Sequence, residues 1–269
     1  MVLEKKHRSV RLKDKDLLLF DFVAKFGFAS VDQLHSYLGG SINSLKTRLS
    51  HLVNDGYLAN HRIFFGKPSV YSITRKGNTT GLAIVKDISL GNYEHDMLVI
   101  DVFLKLRDRF ASYATEKMIR TERGVGVGKA GRIPDMVGYT ADEKAIAIEV
   151  DRTDKSLDRV RKIVSTYVIE SKYSEVWFIC ANQLIFNNLE KVNYSDKIKL
   201  FYLKDVLAGK DMVYVKKAGS VDSILEPGSE AERILGQFFK PADEASKVVV
   251  ENKPGKNFVE FDLDEYMKK

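Results

Sequence analysis

Cysteine is nearly absent from this sequence: Cys180 is the only one among 269 residues. A single thiol excludes an internal disulfide and fits a reducing compartment. No group of Cys and His residues has the spacing of zinc ligands, and no apolar run approaches the roughly 18 residues that span a membrane. The charged start, Met1 to Asp16, lacks the apolar centre of a signal peptide. We therefore expect a cytoplasmic protein.

Acidic residues are also in deficit. The 43 Lys and Arg exceed the 37 Asp and Glu, which gives a net charge of +6 and a pI near 9.1. A basic balance favours an anionic partner, with nucleic acid as the first candidate. The content of 44% hydrophobic and 30% charged residues is typical of a globular fold, and 269 residues suffice for two cores.

The first part of the sequence has the pattern of a winged helix-turn-helix. Apolar residues at helical spacing predict helices over 14–26, 30–38 and 41–54, with Ser30 and Gln33 as a capping box. Two strands should follow, one ending at Phe65 and one over 70–73, and a further helix is expected from Thr74. We assign 1–85 to this domain.

The third of these helices presents a polar face, and the turn between the two strands is basic. These features predict DNA contacts, with phosphates reached from the turn. The candidate residues are Asn43, Ser44, Lys46, Thr47, Arg48, Arg62 and Lys67. Two alternatives stay open: winged helices also dock proteins, and a polar helix face is often only solvated.

The second predicted domain, 90–215, alternates helices and strands around a mixed sheet. The expected helices cover 93–110, 156–171 and 182–189, and the expected strands cover 113–121, 175–180 and 199–203. A helix between two strands implies that they pair in parallel. The last stretch, 216–269, is charged and is expected to be a docking segment or partly disordered.

A hairpin stands at the centre of this domain, over 132–153, with its turn at 140–143. Because side chains alternate along a strand, Glu149 and Asp151 share one face of the second strand. Asp135 opens the first strand and should return beside them. We therefore expect three carboxylates close enough to share one cation.

Pro134-Asp135 and the run Glu149 to Arg152 resemble the core of PD-(D/E)XK nucleases. The wider layout, over roughly Leu12 to Val215, resembles the replication-relaxation family, which includes MobC-type plasmid mobilisation proteins. The resemblance implies Mg or Mn held by Asp135 and Glu149, and nicking of double-stranded DNA at a plasmid or mobile-element origin, with relaxosome or replication proteins as partners.

The usual lysine of that motif is replaced by Asp151, whose carboxylate is a candidate third ligand and catalytic residue. Lys155 or Arg152 is then the substitute cation. Positive charge beside the acids predicts phosphate contacts by Arg120, Arg123, Lys129 and Arg132. Glu94 either joins the metal site or complements its helix dipole. Two competing interpretations are a non-catalytic DNA-binding regulator or relaxosome accessory protein, and a protein-docking adaptor.

Overall fold

A computed structural model of the chain describes residues 10–85, 87–124, 132–212 and 214. Contacts divide the chain into two units, Met1–Ser220 and Val221–Lys269, and every described residue belongs to the first. These residues form α-helices, a three-stranded sheet and a five-stranded mixed sheet, so the fold is mixed α+β. Within these ranges, no helix has both the length and the apolar character needed to cross a bilayer. Lys129 and the whole of the predicted extension, 216–269, lie outside the described residues.

The N-terminal part contains three helices and three short strands. They are α1 (Asp14–Phe26), β1 (Phe28–Ser30), α2 (Val31–Leu38), α3 (Ile42–Asn54), β2 (Leu58–His61) and β3 (Val70–Ile73). The three helices and the strand Val70–Ile73 confirm the prediction, including the capping box, in which Ser30 accepts from the backbone N–H of Gln33. The strands pair antiparallel in the order β1-β3-β2.

Two expectations for this part were wrong. The strand expected to reach Phe65 ends at His61, where pairing with Val70 stops. The helix expected from Thr74 is a turn, in which the Thr74 hydroxyl donates to the carbonyl oxygen of Gly56 at 2.6 Å and lies 2.9 Å from that of Tyr57. These hydrogen bonds tie the chain leaving β3 to the chain entering β2.

The five-stranded sheet has the order β4-β5-β6-β7-β8, with β6, β7 and β8 parallel and the other pairs antiparallel. Its strands are β4 (Ser112–Thr115), β5 (Met136–Tyr139), β6 (Ala145–Asp151), β7 (Glu175–Cys180) and β8 (Ile198–Tyr202). Its helices are α4 (Tyr93–Leu106), extended by a 3₁₀ turn (Arg107–Arg109), then α5 (Glu116–Glu122), α6 (Leu157–Ile169), α7 (Gln183–Val192) and α8 (Leu203–Leu207). The predicted hairpin and the parallel pair around a crossover helix are confirmed.

The strand predicted over 113–121 was wrong in its second half. Only β4 is extended, and α5 begins at Glu116 because the Thr115 side chain accepts from the backbone N–H of Met118. A threonine at this position is a good N-cap as well as a good strand residue. The sequence pattern therefore extended the strand through a helix start.

Alternate residues of β6 face two different apolar layers. Ile148 and Val150 belong to the core that includes α1 and α4, whereas Ala147 belongs to the core that includes α6 and α7. The N-terminal helices therefore cover the α4 side of the sheet. Their aromatic rings interlock with it: Phe26 of α1 lies 5.0 Å from Phe103 of α4, measured between ring centroids.

Polar contacts fasten the same junction. The Thr115 hydroxyl donates to the carbonyl oxygen of Lys25 at 2.7 Å, and Lys117 Nζ donates to that of Ala24 at 2.7 Å. Carbonyl oxygens at a helix C-terminus lack intrahelical hydrogen-bond donors, and these two side chains supply donors to the last carbonyls of α1. Elements from both sides of the predicted boundary near residues 85–90 thus share one core.

Candidate functional site

The carboxylates predicted to converge lie at the ends of β5 and β6. The pairing of Met136 with Ile148 places Asp135 opposite the Glu149 end of β6. Asp135 Oδ2 accepts from the backbone N–H of Val150 at 2.7 Å, so the expected return of this residue beside the second strand is confirmed. Asp135 Oδ1 lies 3.1 Å from Nε2 of His95, which projects from the first turn of α4.

Glu149 is buried and its two oxygens are both engaged. Arg132 donates from Nε to Oε1 at 3.1 Å and from Nη2 to Oε2 at 2.8 Å. The Tyr167 hydroxyl of α6 also donates to Oε1, and the guanidinium of Arg132 stands 5.4 Å from the Tyr167 ring centroid. Burial, reinforced by the nearby Asp135 charge, raises the pKa of Glu149 to about 7, while Arg132 opposes the rise.

Asp151 is the third acid, and it forms an ion pair with Lys155. Its neighbour Arg152 turns to Glu94, with 2.6 Å between Nη2 and Oε2. Glu94 therefore pairs with an arginine at the start of α4. Both ion pairs border a cleft of about 280 Å³. The cleft is lined by Gly91, Asn92, His95, Glu149, Val150, Asp151, Arg152, Thr153 and Lys155.

The donor set does not fit the metal that the resemblance implies. Magnesium and manganese need carboxylate oxygens that face an open position. Here Glu149 is held by Arg132, Asp151 by Lys155, and Asp135 by His95 and a backbone N–H. Among the described residues, no group of three or more His, Cys, Asp and Glu side chains is arranged to hold a metal ion. We derive no catalytic step through a metal.

Two residues of this cluster escaped the sequence argument. Tyr167 is buried in α6, and its hydroxyl end meets Glu149. His95 stands in the first turn of α4 and reaches Asp135. A usable signal existed for Tyr167, because a tyrosine in an otherwise aliphatic buried stripe needs a hydrogen-bond partner for its hydroxyl.

On α3, the predicted DNA-contact residues divide into two groups. Asn43, Ser44, Lys46 and Thr47 are exposed. Arg48 instead turns toward α1, where Nε donates to Oδ1 of the buried Asp16 at 2.8 Å and Nη2 donates to the Arg11 carbonyl oxygen at 2.9 Å. Arg48 thus ties α3 to α1.

The loop between β2 and β3, residues 62–69, carries Arg62 and Lys67 on its surface. Between them Phe65 is 97% exposed, with the guanidinium of Arg62 5.7 Å from its ring centroid. The preceding Phe64 makes an edge contact with Tyr93 at 5.4 Å. Because Tyr93 begins α4, the loop lies beside the end of α4 that borders the cleft.

Positive charge is concentrated in one stretch of the chain. Residues 33–86 contain seven Lys and Arg and one acid, Asp55, so this stretch carries +6, equal to the net charge of the whole chain. The other residues are balanced. Asp55 itself accepts from the backbone N–H of Val10. Six of the seven cations belong to α3, the β2–β3 loop and the turn that follows, and one of these six, Arg48, is paired with Asp16.

The four basic residues predicted beside the carboxylates differ in whether they form ion pairs. Arg120 forms an ion pair with Glu116, 2.6 Å from Nη2 to Oε1, and Arg132 is committed to Glu149. Arg123 is exposed at the end of α5. Lys129 lies outside the described residues.

No family model, curated protein or solved structure matches this chain. The fold and the site define a mixed α+β protein with a basic stretch at 33–86 and a cluster of paired acids at one end of its larger sheet.

Proposed function

We propose that this protein binds double-stranded DNA and does not cleave it. The observation that carries the proposal is the concentration of the entire net charge, +6, in residues 33–86. Phosphate neutralisation by Lys and Arg supplies most non-specific DNA affinity. A segregated basic stretch provides it, whereas an evenly spread excess would not.

We further propose that residues 10–85 are a winged helix-turn-helix. The element order α1-β1-α2-α3-β2-β3 and a three-stranded antiparallel sheet support this assignment. In that arrangement α3 enters the major groove, where Asn43 and Lys46 have the donor and acceptor groups for reading base edges. Arg62 and Lys67 on the loop then contact phosphates and set the register.

For the larger sheet we propose a PD-(D/E)XK-like scaffold that has become a binding platform. The support is the set of internal cations on its acids, above all Arg132 on Glu149. A metal-dependent nickase, the alternative, would have to displace Arg132 and Tyr167 from Glu149 first. Plasmid or mobile-element replication and mobilisation, with relaxosome or replication proteins as partners, is the setting that the family resemblance supports.

Salt-dependent binding tests the main proposal. Fluorescence anisotropy of the full chain with a duplex of roughly 30 base pairs should show affinity falling linearly with salt on logarithmic axes. Arg62→Ala and Lys67→Ala, which remove the two proposed phosphate contacts, should each reduce the slope by about 1. Lys191→Ala is the matched control, since this exposed lysine is on α7, across the sheet from the N-terminal helices. Salt-insensitive or absent binding by the wild type would overturn the proposal.

A nicking assay tests the second part. Supercoiled plasmid incubated with the wild type and Mg or Mn should stay supercoiled. Metal-dependent nicking that disappears in Glu149→Gln, while duplex affinity is kept, would establish the nickase instead. Nicking that persists in Glu149→Gln would indicate a contaminating nuclease.

A further inference from the structure

The tip of the β2–β3 loop exposes an aromatic ring that the fold does not use. Phe65 is 97% exposed, more than any other large hydrophobic residue that the structure describes. Its neighbour Phe64 packs against Tyr93, so the backbone on one side of Phe65 is anchored. The ring therefore adds no buried apolar area to the fold and is accessible to a partner.

The surroundings of the ring indicate the chemistry of that partner. The loop sequence, Arg62 to Ser69, contains two cations and no acid, and the nearest acids along the chain are Asp55 and Asp87. Arg62 lies over the ring, and Lys67 is exposed two residues beyond it. A flat apolar face between two cations matches a base that lies between two backbone phosphates.

We propose that Phe65 stacks on a base face of DNA whose stacking is interrupted, at a gap or at unpaired nucleotides. This inference rests on the proposed DNA-binding function and specifies its substrate class. A ring that enters a fully paired duplex must first unstack a base step, which is costly. A gap already exposes that face, so the ring gains stacking without the unstacking cost.

The position of the loop adds a consequence. Phe64 joins it to the first residue of α4, and the same turn of α4 supplies His95 to the cleft. DNA held at Phe65 is therefore presented beside the cleft that Arg152 and Lys155 border.

The test compares two probes with the full chain: a duplex of roughly 30 base pairs, and the same duplex with a short gap marked by 2-aminopurine. Wild type should prefer the gapped probe and change its fluorescence. Phe65→Ala should lose about tenfold affinity for the gapped probe, lose the fluorescence change, and keep its affinity for the paired duplex within about twofold. Phe65→Trp should retain both signals.

The control is Leu184→Ala, which removes a 55% exposed apolar side chain from α7. It should behave as wild type on both probes. If Phe65→Ala keeps the preference for the gapped probe, the inference fails while the DNA-binding proposal stands. If wild type binds neither probe, both fail. Binding to anionic lipid vesicles that is lost in Phe65→Ala, without a DNA effect, would assign the ring to a membrane surface and overturn the inference.

Discussion

Arg132 spans both carboxylate oxygens of Glu149, with contacts of 3.1 and 2.8 Å from two nitrogens of one guanidinium. The two residues stand 17 positions apart, on the approach to β5 and near the end of β6. This bidentate geometry is the strongest form of an arginine–carboxylate interaction. The chain itself thus provides the positive charge that buried acids require.

Removing that charge should destabilise the fold. Arg132→Gln leaves the buried Glu149 carboxylate without its cation, and we expect a loss of about 3–5 kcal/mol in the free energy of unfolding. Urea denaturation followed by circular dichroism measures the loss. Combining Arg132→Gln with Glu149→Gln should recover part of it, because the uncompensated charge is then gone.

The control for this pair is Arg161→Gln, which breaks an exposed ion pair with Asp158. Exposed pairs contribute little, so its effect should stay within about 1 kcal/mol. Equal effects of Arg132→Gln and Arg161→Gln would show that the buried pair does not stabilise the sheet end.

Arg48→Ala should reduce stability, because Arg48 is committed to Asp16. Hydrogen bonds to charged groups contribute roughly 1.5–3 kcal/mol, and we expect a loss of that order by urea denaturation. Arg48→Lys should restore only part of it, since lysine lacks the two-pronged geometry. Lys46 lies two residues before Arg48 on α3 and is exposed, so Lys46→Ala should leave stability unchanged. A destabilised Lys46→Ala with a stable Arg48→Ala would reverse this assignment.

Gly77→Ala should disturb the N-terminal sheet. A Cβ at this position would lie 2.3 Å from the Tyr57 carbonyl oxygen, a backbone atom that cannot rotate away. Overpacking of this kind costs about 1–3 kcal/mol, visible as a lower melting temperature. Gly91→Ala is the matched substitution, since the nearest atom to its Cβ would be 3.9 Å away. Equal melting temperatures for the two variants would contradict the close approach.

Asp96 should give the stability a pH dependence. Burial raises its pKa from 3.8 to about 6. Because the folded-state pKa exceeds the unfolded one, the wild type should lose stability relative to Asp96→Asn as the pH rises from about 4 to 6. Above about 6 the difference should be constant. Urea midpoints across this range measure it, and parallel curves for the two proteins would contradict the burial of the charge.

Local signals explain what the sequence predicted well. The Ser30–Gln33 capping box placed the start of α2, and strand alternation placed Glu149 and Asp151 on one face of β6. Both depend on residues within a few positions of each other. The strand predicted over 113–121 was too long because local preferences do not distinguish a strand from a helix start at Thr115. Threonine suits both positions, and tertiary packing decides between them.

The ion pairs could not be predicted in this way. Arg48 and Asp16 are 32 residues apart, and Arg132 has several acids within reach of a flexible side chain. Periodicity assigns a residue to a face, but the choice of partner depends on which oppositely charged group is buried nearby. The sequence therefore predicted which acids lie at the end of the sheet, but it did not predict which basic residue pairs with each of them.

The hydrogen bonds from Thr115 and Lys117 to the last carbonyls of α1 have a mechanical consequence. They join the helix at the front of the chain to the edge of the larger sheet. In the proposed DNA complex, a bent or kinked duplex pulling on α3 would transmit part of its torque through α1 to β4 and α5.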